Sequence, residues 1–294
     1  MGKLEIGFLL MKTSLEIFQE VQSKGYALGA FNFCNAEILR GIVEAVAELK
    51  TPVIVSTSQG EGAFLGFKRA RALADTWQEQ LGLNLILHLD HGKSLDIVKT
   101  AIDAGYDSIH FDGSGLPFEE NVKITQQVVE YAKQKNNIMV EGELGYLRGA
   151  SAPGQKVIIK KEDLTDPVMA VKFIQETRVD SLAVAIGNIH GIVQGGQDPH
   201  LDLARLSEIQ RAVSDSAFLV LHGGSGIPDE DVKQAIKSGI VKINVNTELR
   251  VAYANTLRNF LLDNSQETTP YKIMESVVTA VKQVVTNKLK IFCE

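Results

Sequence analysis

The chain is predicted to be an α/β protein folded as a (β/α)8 barrel of the TIM-barrel type, and three observations carry that prediction. Short apolar, β-branched runs of five to eight residues alternate with amphipathic stretches of ten or more from one end of the 294 residues to the other. Eight such pairs fit the roughly 250 residues that a barrel occupies. Nearly every strand also ends in polar chemistry. A barrel carries its function on the loops at the C-terminal ends of all its strands, whereas an open doubly wound sheet collects it at one switch point. The rhythm alone allows either arrangement, and the polar strand ends decide for the barrel. No GxGxxG follows the first strand, which weakens a dinucleotide-binding reading.

The elements follow in order. An extra helix over 15–22 opens at the capping box Thr13-Ser14-Leu15-Glu16. Met11 stands two residues ahead as a candidate start, so residues 1–11 are expected to be a leader and 12–294 a single barrel domain. Strand 27–33 reaches Asn32 and feeds helix 36–49; strand 52–57 runs into Ser58, followed by helix 67–81. Strand 83–90 ends in Asp90-His91 before helix 94–104, and strand 108–112 ends in Asp112 before helix 119–135. Strand 138–142 carries Glu141 and Glu143 and precedes helix 167–177; strand 181–187 leads to Asn188 and His190 and then helix 203–213. Strand 218–222 ends in His222 before helix 229–238, and strand 240–246 carries Asn244 and Asn246 into helix 248–263. A last helix over 270–288 extends the C-terminus. Two loops are long, 145–166 and 192–202, and long loops on the active face often act as lids.

Composition narrows the function. With 45% hydrophobic and 22% charged residues, the chain can bury a large core and is not disordered, collagen-like or coiled-coil. Thirty-six acidic residues against thirty basic ones give a net charge of −6, and no Lys/Arg-rich tract appears. Nucleic acid and membrane surfaces are therefore poor partners, and a small molecule is expected. Two cysteines, Cys34 and Cys293, make neither a disulfide framework nor a CxxC site, which fits a reducing cytoplasm. The apolar runs fall short of the roughly 18 residues of a membrane span.

Three of the six histidines stand at strand ends beside glycine: His91 before Gly92, His190 before Gly191 and His222 before Gly223. Their wide spacing means that only a barrel brings them together. Three imidazoles at one mouth suit a catalytic Zn2+ that keeps positions open for substrate oxygens; the alternative is that they only bond neighbouring loops. Asp90 shares strand parity with His88 and points into the mouth, either as a general acid/base or as an acceptor that orients a ligand histidine. Asp112 and Glu143 end the next two strands on the same side, as a second divalent position or as partners of rim cations. Gly223-Gly224-Ser225 and Asn244-Val245-Asn246-Thr247 close the last two strands, and the latter leads into a helix N-terminus. Together they suggest a phosphate cradle, although tight turns and a helix cap would need the same residues. Arg250, in the first turn of that helix, opposes the macrodipole and is explained by an anion, with a surface salt bridge as the other account. A metal, a carboxylate and a phosphate site at one mouth suggest enolate chemistry on a sugar phosphate.

These residues resemble the class II, metal-dependent ketose-bisphosphate aldolases, acting on fructose or tagatose bisphosphate, over about 12–293. The resemblance rests on Leu87-His88-Leu89-Asp90-His91-Gly92, Glu141-Gly142-Glu143-Leu144-Gly145, Ala185-Ile186-Gly187 with His190-Gly191, Leu221-His222-Gly223, and Lys242-Ile243-Asn244-Val245-Asn246-Thr247. It implies that His91, His190 and His222 bind Zn2+, that Asp90 handles the C4 hydroxyl proton, and that Asp112 and Glu143 match a second metal position. Gly191, Gly223, Gly224, Ser225 and Asn244 to Thr247 would hold dihydroxyacetone phosphate, with Asn32 and Ser58 nearby. Gly191 and Gly223 would border a monovalent cation, Na+ or K+, and Arg250 would reach the second phosphate. The implied reaction is reversible cleavage of fructose 1,6-bisphosphate through an enediolate, in a homodimer or homotetramer of the short subtype. Asn246 touches the region where the two epimers differ, so tagatose 1,6-bisphosphate remains an alternative.

One departure stands out. Relatives carry a glutamate in the loop after the fifth strand, but this chain reads Tyr146-Leu147-Arg148-Gly149-Ala150-Ser151-Ala152-Pro153-Gly154. The nearest downstream acids are Glu162, Asp163 and Asp166. Other readings follow: a non-catalytic phosphosugar-binding protein, a Schiff-base aldolase using Lys242, and a metal-dependent hydrolase on the same barrel. The valines of the last helix, Val277, Val278, Val281, Val284 and Val285, form an apolar face for either a second copy or the barrel itself.

Overall fold

A computed structural model describes residues 12–135, 138–149, 158–192 and 200–293. The expected leader and the central parts of both long loops lie outside the described residues. Eight parallel strands close into a barrel in chain order: β1 (Leu28–Asn32), β2 (Val53–Ser58), β3 (Leu85–Gly92), β4 (Ser108–Phe111), β5 (Met139–Leu144), β6 (Ser181–Val184), β7 (Phe218–Leu221) and β8 (Ile240–Val245). Closure is explicit in the pairing of β8 with β1, Lys242 beside Leu28 and Asn244 beside Ala30, and this pairing excludes the open sheet.

The helices are α1 (Ser14–Lys24), α2 (Ala36–Leu49), α3 (Gln59–Leu65), α4 (Phe67–Leu81), α5 (Leu95–Asp103), α6 (Phe118–Lys133), α7 (Pro167–Thr177), α8 (Leu203–Val213), α9 (Asp229–Lys237), α10 (Thr247–Asp263) and α11 (Pro270–Phe292). The Thr13–Glu16 capping box starts α1 as expected, and Gly25 at φ 72° ends it. Short α3 is the element the sequence reading missed. Two glycines inside it, Gly60 and Gly62, obscure the helical pattern, yet Ser58 and Glu61 form a second capping box at its start.

The strand period of two sorts the side chains. On β3, Leu85, Leu87 and Leu89 face the helices and join the outer core, while Ile86, His88 and Asp90 face inward. The interior is layered along the barrel axis. Its N-terminal end is apolar and plugged by α1, whose Ile17, Phe18 and Val21 pack on Leu28, Ile54, Ile86 and Met139. Polar residues replace this layer toward the C-terminal end.

Helix α11 crosses α2 and α10. Its Val277, Val278, Val281 and Val285 are buried, and Gly41 of α2 lies so close that a Cβ there would stand 2.9 Å from Val281. Each such valine contributes roughly 1.5–3 kcal/mol of burial. The valine face is therefore used within the chain, and it does not supply the surface for a second copy that the sequence allowed.

Candidate active site

The C-terminal strand ends surround a cavity of about 740 Å3. Of the residues expected at the site, Asn32, Ser58, Asp90, His91, Asp112, His190, Gly191, His222, Gly223, Ser225, Asn244, Asn246, Thr247 and Arg250 line it. Glu143 lies outside that lining, 1% exposed. Two expected phosphate contacts are corrected. Val245 packs in the core between barrel and helices, because its strand parity turns it away from the mouth. Gly224 already gives its N–H to the Asn244 carbonyl at 2.8 Å, so it braces the loop.

His91 takes the left-handed backbone conformation, φ 55°, which is unusual for a residue with a side chain. Its Nδ1 lies 2.9 Å from Asp112 Oδ2, and its Nε2 lies 2.9 Å from Nδ1 of His222. The other nitrogen of His222 stands 2.8 Å from Glu141 Oε1. An ionised carboxylate only accepts, so the nitrogen facing each carboxylate carries a proton. With both rings neutral the two nitrogens facing each other would both present lone pairs, so the pair calls for a cation between them, either a proton on His91 or a metal ion. Asp90 Oδ1 is 3.8 Å from each nitrogen. This donor set fits a divalent metal: two imidazoles, each oriented by a carboxylate behind it, beside a further carboxylate.

The electrostatics agree. Burial opposes charging His91, but Asp90, Asp112 and Glu143 outweigh it and lift its pKa to about 9. Burial prevails at His222, and with His91 and His110 it holds that ring well below the ordinary histidine value. Burial alone would raise Asp90, yet the His91 and Lys242 charges and the Asn32 amide hold it below the usual carboxylate range. Asn32 and Asn244 each donate to it at 2.9 Å. An ionised, amide-held carboxylate beside a cation site is equipped to accept a proton.

A fourth imidazole, absent from the sequence reading, stands here. Donor atoms of Asp90, His91, His110 and His222 lie within 4.8 Å of one another, as do those of His91, Asp112 and Glu143. His110 Nδ1 accepts the backbone N–H of His91 at 3.2 Å. Its proton therefore sits on Nε2, 3.1 Å from Glu143 Oε2. With its Nδ1 spent on the His91 N–H, the ring supports the His91 backbone, while its Nε2 and Glu143 Oε2 face each other without a hydrogen bond. The alternation of β4 was the signal for His110, since it is inward like Ser108.

His190 falls outside both donor groups, but its ring centroid is 4.8 Å from that of His91. Its loop is firmly built. Asn188 donates to the His222 carbonyl at 2.9 Å, and His190 N–H donates to the Arg148 carbonyl at 2.9 Å. A Cβ on Gly149 would stand 2.4 Å from the His190 carbonyl, and one on Gly223 only 2.0 Å from that of Ile189. Only glycine admits these approaches.

Under the mouth lies a buried network. Lys242 Nζ, fully buried, donates to Glu141 Oε2 at 2.7 Å and lies 2.9 Å from His88 Nε2. Lys242 is thus paired below the cavity and is not placed as a Schiff-base nucleophile. The three downstream acids are also committed: Asp163 pairs with Arg148, Asp166 caps α7, and exposed Glu162 pairs with Lys160. Helix α10, seventeen residues long, opens at the cavity wall; its cap residue Asn246 makes no side-chain capping bond, and among the described residues only the Glu248 N–H is taken up, by Ser225 Oγ at 3.3 Å, an arrangement that suits an anion.

Barrel, cation site and anion-ready helix together define a metal-dependent barrel enzyme for a small polar substrate. Residues 12–294 match the family model described as fructose-bisphosphate aldolase class-II. The chain belongs to this class II aldolase family, whose members are metal-dependent lyases. Among solved structures, it is similar to the YdjI aldolase from Escherichia coli K12, with 33% identity, TM-score 0.78 and 96% of both chains covered. A protein described as a candidate fructose-1,6-bisphosphate aldolase from Coccidioides immitis matches at 26% identity, TM-score 0.82 and 95% of both chains. The fructose-bisphosphate aldolase from Campylobacter jejuni, at 22% identity, shares the fold, with TM-score 0.80 over 95% of this chain and 93% of that one.

Proposed function

We propose that the protein is a ketose-bisphosphate aldolase that cleaves fructose 1,6-bisphosphate reversibly to dihydroxyacetone phosphate and glyceraldehyde 3-phosphate, with Zn2+ as its metal. The observation that carries this reading is the ionised Asp90, 3.8 Å from both imidazole nitrogens that face each other, at a cavity walled by the start of α10. His91 and His222, joined by His190, hold the ion. Bound there, it would polarise the C2 carbonyl and stabilise the negative charge that develops as the carbon–carbon bond breaks.

Asp90 takes the C4 hydroxyl proton while its two amide partners keep it aimed. The C3–C4 bond opens, the aldehyde departs, and a proton delivered to C3 gives the ketone product. Gly191, Gly223, Ser225 and the backbone at the start of α10 seat one phosphate, and Arg250 meets the other. Asp112 and Glu143, 2.9 and 3.6 Å from His91 Nδ1, support a second divalent position.

The test is cleavage of fructose 1,6-bisphosphate, followed through its triose phosphates, on untreated protein, after EDTA and after Zn2+ is restored. Loss and recovery are expected. Activity surviving complete metal removal would overturn the reading, and cleavage of tagatose 1,6-bisphosphate alone would move the assignment to that epimer.

A further inference from the structure

The mouth holds a carboxylate that the proposed reaction leaves unused. Glu61, on α3, lines the cavity. Its Oε2 accepts the Ser58 N–H at 2.7 Å and Asn32 Nδ2 at 3.0 Å, and its Oε1 accepts Asn246 Nδ2 at 3.3 Å. Asn32 Nδ2 also reaches Asp90 Oδ2, and Asn244 Nδ2 reaches Asp90 Oδ1, both at 2.9 Å. Two acids thus hold three amides. Because a carboxylate only accepts, each amide must turn its NH2 toward an acid and its carbonyl away. The Oδ1 atoms of Asn32, Asn244 and Asn246 are all buried and without a partner. Buried acceptors are normally satisfied, so three orphans at one cavity point to a ligand that brings donors.

We infer that Glu61 is a specificity-determining positioning residue: it fixes the Asn32 and Asn246 amides so that their carbonyls, with that of Asn244, present acceptors selecting a substrate segment rich in hydroxyl donors. This rests on the aldolase reading, in which the substrate is a polyhydroxy ketose phosphate. A site built to bond hydroxyls rejects analogues that lack them, because its own groups are then left unpaired.

The test is a double-variant cycle. In Glu61→Gln the amide oxygen keeps the place of Oε2, where two N–H groups converge, and the capping box persists. The new NH2 then faces the NH2 of Asn246, so Asn246 turns over and its acceptor leaves the mouth. Asn246→Asp alone sets two carboxylates against each other. In the pair Glu61→Gln/Asn246→Asp, the Gln NH2 donates to one Asp oxygen and the other oxygen replaces the lost acceptor.

Each single variant is expected to lose about 10- to 100-fold in kcat/KM, chiefly through KM, at unchanged metal content. The pair should return to within about threefold of wild type. Melting temperature reads the same cycle without substrate: Asn246→Asp should melt lower, and Glu61→Gln should restore it. Additive losses in either readout, or a Glu61→Gln enzyme with wild-type kcat/KM, would overturn the inference. Wild-type protein that cleaves neither epimer would overturn the aldolase reading itself, and the selectivity claim with it, in an arm separate from the cycle.

Discussion

Replacing Glu141 with Gln keeps the shape of the side chain and removes its charge, and the structure sets the consequence. Lys242 is fully buried and meets Glu141 at 2.7 Å and His88 at 2.9 Å. Burial and the Lys242 cation hold His88 well below the ordinary histidine value, so His88 offers a neutral acceptor and no countercharge. Breaking a buried ion pair from one side costs about 3–5 kcal/mol. At roughly 2 °C per kcal/mol for a chain of this size, the melting midpoint should fall by about 6–10 °C. A second effect is separate. Glu141 also orients His222 through a 2.8 Å bond, and losing such a partner typically lowers metal affinity about 10- to 100-fold. Thermal unfolding by circular dichroism and Zn2+ competition against a chromophoric chelator measure the two. The variant Glu141→Met/Lys242→Met removes both charges and should regain most of the stability but none of the metal affinity. A Glu141→Gln protein that melts and binds Zn2+ like wild type would refute the reasoning.

Further outcomes follow from the same geometry. Asp90→Asn should lower kcat by about 10²- to 10⁴-fold with metal content retained, as read by turnover and metal analysis on one sample. His190→Ala should lose metal, whereas His110→Asn should keep it, because the His110 lone pair is spent on the His91 N–H; elemental analysis after dialysis decides. Burial resists ionisation of Glu141, but the Lys242 cation beside it holds its pKa down to about 2 from 4.5. A depressed carboxyl stabilises the fold fully above its unfolded value, and that contribution is lost as pH falls from about 4.5 toward 2. Wild-type melting should therefore decline with acid across that window, and more shallowly in Glu141→Gln.

Elements with a strong period or a cap were legible in the sequence. All eight strands were, and so were α2, α4, α7 and α8, whose bounds coincide with the expectation. The three histidines and Asp90 were legible because glycine-flanked polar residues interrupt apolar strands. What escaped was His110 and the way the interior polar residues below the mouth pair with one another. His88, His110, Glu141 and Lys242 sit at inward positions where a packed barrel normally stores Val, Ile or Leu, and one sequence does not reveal which polar residues meet across strands. Glu61 escaped with α3, although Ser58 three residues before it was the available signal. The burial of α11 could not be read either, because an apolar helix face looks the same whether its own barrel or a second copy covers it.

The charge balance under the mouth argues for what belongs there. Asp90, Asp112, Glu141 and Glu143 carry four formal negative charges, opposed by Lys242 and, at the rim, by Lys93, 3.4 Å from Asp112, while Glu61 and Arg250 on the cavity wall offset each other formally. Two charges remain. A proton shared between His91 and His222 supplies one, whereas a divalent cation supplies both and relieves the facing lone pairs. Unpaired charge at this depth is costly, so filling the site should stabilise the fold as well as enable chemistry. By linkage, Zn2+ at 100 times its dissociation constant should add about 2.7 kcal/mol, or roughly 5 °C in melting midpoint. Asp112→Asn/Glu143→Gln removes the excess negative charge, and its melting should respond less to metal and lose less on chelation. An equal metal response in that variant would mean that charge balance does not set the affinity of the site.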